Sequence, residues 1–200
     1  MTEAICVTKL AALYSSSHLR FSLGESRPLV LRRFLSLERD LHHLNQFQDY
    51  SKVMDDCFTM GHTERVPDAD LNKPVQDSFY LAYHAVYKES TSTPVRVVFD
   101  GSMKTTSGVS LNDQLHIGPT VHPPLNGVLI RFRKHPFVLT TDASKMYRAV
   151  TLAPENRSYY RFLWRDKGTD PVVDYGMTKV TFGIASTAFV ATNSLLCLAK

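Results

Sequence analysis

Leu31, Phe34, Leu37, Leu41 and Leu44 recur at intervals of three and four residues. That spacing places them along one stripe of an α-helix, and an apolar stripe has to be laid against something. Pro28 suits the first turn of such a helix, where its missing N–H costs nothing. Arg32, Arg33, Glu38, Arg39 and Asp40 fall largely on the other faces. A second helix is predicted from about Phe47 to Met60, with Phe47, Tyr50, Met54, Cys57 and Phe58 apolar. Gly61 is placed to end it in the left-handed region that glycine enters cheaply. The two helices are expected to pair through their apolar faces.

Beyond them the pattern changes. Pro67 to Pro74 reads as a polar connector. Phe79 to Val86 is aromatic and β-branched, and Ser90 to Pro94 is a turn cluster. Val95, Val97 and Phe99 alternate with Arg96 and Val98, which predicts a hairpin. Asp100 to Asn112 reads as loop, Leu125 to Arg133 as a short helix, Phe137 to Asp142 as a strand, and Pro154 to Asn156 as a turn. Tyr160, Phe162 and Trp164 alternate with Arg161 and Arg165, and a return strand is expected to end near Phe182. Ser186 can cap a last helix. Two helices followed by short strands, with no repeat and no regular βαβ alternation, predict an α+β fold. Residues 1–20, with Ser15-Ser16-Ser17 and no persistent period, read as an irregular leader.

Composition bounds the function classes. The chain has 200 residues, 44% hydrophobic and 21% charged, which fits a globular domain with a sizeable core. A net charge of +4 permits a polyanionic partner without demanding one. Cys6, Cys57 and Cys197 are odd in number and far apart, which argues against a disulfide framework or a zinc ribbon. With no signal-peptide pattern and no long apolar run, the expectation is an intracellular, cytoplasmic chain that is neither secreted nor membrane-bound.

Three cues carry chemistry. Asp142 follows the apolar run Phe137-Val138-Leu139, and a carboxylate on a rigid strand end is what a Mg²⁺ site requires. Taken by itself, Asp142 equally reads as the opener of a turn. Arg96 and Lys88 flank the hairpin turn and can hold a triphosphate, the arginine as a fork and the lysine as a point charge. Read alone, they are solvated surface charges. Between Arg131 and Lys167, nine cations face three carboxylates, with Tyr147, Tyr159, Tyr160, Phe162 and Trp164 interleaved. Positive charge with aromatic rings suits nucleic acid, although such rings more often form core. The histidines are scattered, Cys57 and His62 lack a second pair of ligands, and no Walker loop or hydrolase elbow occurs.

The order of the blocks adds a further reading. Leu31 to Arg39, Met60-Gly61-His62 and Phe79 to Val86 are followed by Arg96 to Ser102 and Ser107 to Asp113. Gly118-Pro119-Thr120, Asp142 to Arg148 and Val180 to Ser186 come next. Together these resemble the reverse transcriptase of BEL/Pao-type LTR retrotransposons, over roughly Phe21 to Leu198. The resemblance implies a right-hand polymerase fold, fingers and partial palm, over residues 21–200. It implies RNA-directed DNA polymerase chemistry, with RNA or DNA template-primer, a deoxynucleotide triphosphate and two Mg²⁺ ions as partners.

By position, Asp142 is similar to the family's first catalytic, metal-bridging aspartate, and the carbonyl of Ala143 to a nearby metal ligand. Tyr147 resembles the aromatic gate against a ribose 2′-OH. Arg96 and Lys88 resemble the fingers cations on the triphosphate. Phe182 and Gly183 resemble the motif beside nucleotide and template. Departures occur at Leu81-Ala82-Tyr83-His84, where Leu-Pro-His-His is usual, at Ala143, where a larger apolar residue is usual, and at Ala188, where proline is usual. The family's Tyr-x-Asp-Asp hairpin is expected beyond Lys200, with the rest of the palm, the thumb, the connection and RNase H. A portion of this kind is expected to be inactive alone and to carry an exposed apolar face. The alternative expectation is a non-catalytic nucleic-acid-binding or interaction remnant of a retroelement.

Overall fold

The computed structural model describes Ile5–Cys6, residues 22–87 and residues 95–198. Strand β1 (Ile5–Cys6) precedes the two predicted helices, α1 (Arg27–His43) and α2 (Phe47–Thr59). Pro28 sits in the first turn of α1, and Gly61, at φ +64°, follows the end of α2. Then come β2 (Thr63–Arg65), the single-turn α3 (Asp68–Leu71), β3 (Ala82–Tyr87) and β4 (Val95–Asp100). Two helices follow, α4 (Leu111–Gln114) and α5 (Leu125–Phe132). The chain closes with β5 (Val150–Thr151), β6 (Arg161–Trp164), β7 (Val173–Met177) and α6 (Thr187–Leu198), which begins directly after Ser186.

Among the described residues the strands form three small sheets. β3 and β4 make the expected antiparallel hairpin, with Tyr83 opposite Phe99 and Val86 opposite Arg96. β7 lies between β2 and β6, both antiparallel to it, and β1 pairs in parallel with β5. Backbone hydrogen bonds join these pieces. The Leu81 amide donates to the Arg161 carbonyl at 2.7 Å, and the Arg161 amide to Phe79 at 3.1 Å, so the approach to β3 runs beside β6. The Leu152 amide donates to Thr178 and the Val180 amide to Val150, which ties the exit of β7 to β5.

The core lies between the helix pair and this β surface. Phe34 of α1 packs 6.1 Å from the Trp164 ring and 6.3 Å from Tyr83. Phe47 and Tyr50 of α2 each lie 6.0 Å from Trp164. Val95, Val97 and Phe99 are buried while Arg96 is exposed, so the period of two holds in β4. Each large side chain removed from water here contributes about 2–3 kcal/mol.

Several expectations need correction. Phe137 to Asp142 is not a strand: the stretch is irregular, with Phe137 89% and Leu139 98% exposed. Strand propensity is not enough without a neighbouring strand to take the backbone hydrogen bonds. The return strand ends at Met177 instead of near Phe182. Leu44 lies outside the core, whereas Val30 and Glu38 lie within the buried face of α1. Arg161 and Arg165 do not form a wet outer face. β6 is buried on both sides, and Arg161, 2% exposed, donates to the Asp70 carbonyl at 2.8 Å and lies over the Tyr80 ring. Arg165 forms a two-pronged bond to Glu38, which is how a carboxylate can sit in the core.

Candidate functional site

The Asp142-to-Arg148 and Val180-to-Ser186 blocks meet in space. Residues Met146–Ala149 form a single 3-10 turn, entered through Lys145 at φ 51°, in the left-handed region. That entry turns Tyr147 toward Phe182, and the two rings meet edge to face with centroids 4.6 Å apart at 72°. Phe182 remains 50% exposed, so the pair forms a surface feature backed by the core.

Gly183 is required by its surroundings. Its φ is +86°, and a Cβ there would stand 1.7 Å from the Phe99 carbonyl oxygen. No side chain fits without moving β4. The Gly183 carbonyl accepts from the Gly101 amide and from Asn112 Nδ2, each at 3.1 Å. The Asn112 side chain also donates to Ser102 Oγ at 2.8 Å and accepts from the Ala185 amide at 2.9 Å. One asparagine therefore fastens the end of β4 to the 183–185 turn. Asn112 is itself held by α4, whose Ser110 and Asp113 form a reciprocal cap. Lys104 and the Ser110 backbone and hydroxyl bind the Asp113 carboxylate and lower its pKa to about 2.

Asp142 and Ala143 are exposed on the irregular stretch before the turn. Among the described residues, no three His, Cys, Asp or Glu side chains stand together as metal ligands do. The described residues alone therefore do not fit a two-metal cage. Arg96 projects from the outer face of β4, and Lys88 lies outside the described residues.

In fold, the chain is similar to part of a foamy viral protease-reverse transcriptase solved in complex with double-stranded DNA. The two agree with a TM-score of 0.51 at 14% identity, over 74% of this chain and 22% of that one. At that identity the likeness concerns the fold alone. The chain spans about a fifth of the length of that protein. No family model matches, and no curated protein matches. Among the described residues, no helix is long and apolar enough to cross a membrane.

The cationic density between Arg131 and Lys167 divides in two. Arg157 pairs with Glu64, Arg165 with Glu38, and Arg161 is buried, so three of the nine cations serve the fold. Lys145 and Arg148 instead stand at the 3-10 turn with no carboxylate partner among the described residues. Periodicity could not separate these groups, because each arginine's partner lies far away in sequence. Asn112 was missed as a positioning residue, although it stands inside the block Ser107 to Asp113 that carries the resemblance.

A second polar cluster serves stability. Asp174 of β7 accepts two bonds from Arg27, at 2.7 and 2.8 Å, and one from the Tyr80 hydroxyl at 2.7 Å. Burial pushes its pKa up, but the bonds from Arg27 and Tyr80 outweigh that and leave it lowered. The matching bond raises the pKa of Arg27.

Proposed function

We propose that this chain is the fingers and partial-palm portion of a BEL/Pao-type reverse transcriptase, and that the Tyr147–Phe182 face receives nucleic acid. The observation that carries the reading is the meeting of Tyr147, Phe182 and Gly183. They come from two blocks about thirty-five residues apart, and the resemblance assigns them to one nucleotide pocket. The likeness in fold to part of a foamy viral protease-reverse transcriptase supports the same reading. In it, Tyr147 stands against the sugar of an incoming deoxynucleotide and Phe182 against a base. Gly183 lets the backbone approach closely, and Arg96 and Lys88 meet the triphosphate. Asp142 and the Ala143 carbonyl are proposed as Mg²⁺ ligands in company with carboxylates beyond the described residues.

A second reading, a binding remnant without catalysis, is favoured by one observation: Asp142 is exposed and belongs to no group of three or more metal-ligating side chains among the described residues. Primer extension in Mg²⁺, run beside primer-template binding, separates the two. Binding that falls several-fold in a Tyr147→Ala, Phe182→Ala double variant supports the proposed face. Extension abolished by Asp142→Asn establishes catalysis in this chain. Binding without extension selects the remnant or the incomplete enzyme, and no binding rejects both.

A further inference from the structure

Around the 3-10 turn, four basic groups are brought together: Lys145 and Arg148 from the turn itself, His62 before β2 and Lys179 after β7. Lys145 Nζ lies 3.4 Å from Met60 Sδ. Arg148 Nη1 lies 3.4 Å from Cys57 Sγ. Lys179 Nζ lies 2.8 Å from Thr151 Oγ1. His62 stands among them, its amide bonded to the Cys57 carbonyl at 2.9 Å and its carbonyl to the Thr178 amide at 2.9 Å. The end of α2, the entry to β2, the 3-10 turn and the exit of β7 all meet here. Pairing of Thr63 with Met177 fixes their register.

Two features separate this cluster from ordinary surface lysines. Its cations are restrained by neutral sulfur and hydroxyl atoms, and none of the three forms an ion pair with a carboxylate among the described residues. Among the described residues seven such pairs neutralise Arg27, Arg33, Lys52, Lys73, Lys104, Arg157 and Arg165, while Arg32 and Arg39 also form none, so the restraint by neutral sulfur and hydroxyl atoms and not the lack of an ion pair marks this cluster. The charges also act on one point. Beyond burial, the groups that lower the pKa of His62 are Arg148, Lys145 and Lys179, all positive. Gathering like charges costs free energy that a bound polyanion returns.

We propose that Lys145, Arg148 and Lys179, grouped around His62, form a contact for the phosphate backbone of a nucleic-acid strand. The choice of nucleic acid rests on the reading above. Arg148 directly follows Tyr147, so the turn that carries one ring of the aromatic pair also carries two of the cations. A single strand takes up that combination through its bases and its phosphates. Each cation neutralising one phosphate steepens the salt dependence of binding by about 0.7 for single strands.

The test is binding of a fluorescent oligothymidylate of about 20 nucleotides, measured against NaCl concentration. The triple variant Lys145→Gln, Arg148→Gln, Lys179→Gln is expected to lower the log–log salt slope by about 2. Arg32→Gln, Arg39→Gln, Lys52→Gln removes the same charge from α1 and α2 and is expected to leave most of the slope in place. Arg148→Lys keeps the charge beside Cys57 and is expected to bind nearly as the parent does. Equal losses in the two triple variants, or an unchanged slope in the first, would overturn the proposal. If the Tyr147→Ala, Phe182→Ala variant loses binding while the first triple variant does not, this contact is wrong and the functional reading survives. If the parent chain ignores the oligonucleotide, both fall.

Discussion

Residues 150–164 and 116–145 each carry a three-residue apolar run, Phe162-Leu163-Trp164 and Phe137-Val138-Leu139, yet the two stretches meet opposite fates. In the first, Phe162 and Leu163 are 0% exposed, enclosed by α1, α2 and the two flanking strand segments. In the second, none of the thirty residues is buried, and Phe137 and Leu139 are 89% and 98% exposed. As short apolar runs the two read alike. The difference is a partner: β6 has β7 on one edge and the Phe79–Leu81 backbone on the other, whereas 137–142 has no strand beside it among the described residues. An apolar run becomes a strand only where its backbone hydrogen bonds are taken up.

The sharpest way to break this contrast is a matched pair of truncations. Phe162→Ala is expected to cost about 3–5 kcal/mol in urea unfolding through the lost burial and the cavity left behind. Phe137→Ala is expected to change stability by less than about 0.5 kcal/mol. Equal losses would mean that the 137–142 run is packed in solution. Glycine gives a second pair. Gly183→Ala meets both the positive φ and the Phe99 carbonyl, and a loss of roughly 2–4 kcal/mol is expected. Gly127→Ala lies in the exposed α5, with nothing within 4 Å of a new Cβ. Its expected effect is a gain of about 0.5–1 kcal/mol.

The polar interior of the packed region yields a third prediction. Asp174→Asn leaves Arg27 and the buried Tyr80 hydroxyl without their charged acceptor, and a loss of about 2–3 kcal/mol is expected. The figure sits below that for a fully buried pair because Arg27 is 44% exposed. Acid should act in the same direction. The carboxyls of Asp174 and Asp113 have folded pKa values below the ordinary 3.8. Their contribution is therefore whole above that value and is lost as pH falls through the lowered folded values, near 2 for Asp113. Thermal melts from pH 5 to pH 2 check this, with Asp174→Asn flattening the decline.

His62 supplies the smallest effect. Burial and its cationic neighbours lower its pKa below 6.5, so its neutral form is favoured in the folded chain. That contribution is present above pH 6.5 and lost as pH falls through the lowered folded value. His62→Gln should remove this mild dependence, which melts between pH 7 and pH 5 would resolve. An unchanged profile would mean that the cations do not converge on His62.

Much of the frame was legible in the sequence. The three-and-four spacing before Leu44, the Gly61 stop and the alternation from Val95 to Phe99 each appear as read, because local geometry alone decides them. What could not be read depended on partners distant in sequence. Glu38 and Arg165 carry opposite charges 127 positions apart, and only the fold makes them interior. The site divides the same way. Tyr147, Phe182 and Gly183 were named from their blocks, but the Asn112 clamp that holds the 183–185 turn follows from no spacing rule. The strand expected to carry Asp142 was read from propensity, with its pairing partner left out of account.

The most direct test of the proposed face maps where a strand lies on it. A primer-template carrying photoreactive bromodeoxyuridine, crosslinked by light and followed by peptide mass spectrometry, should label the peptides that contain Tyr147 and Phe182. Labelling confined to α1 and α2, or scattered evenly along the chain, would contradict the account.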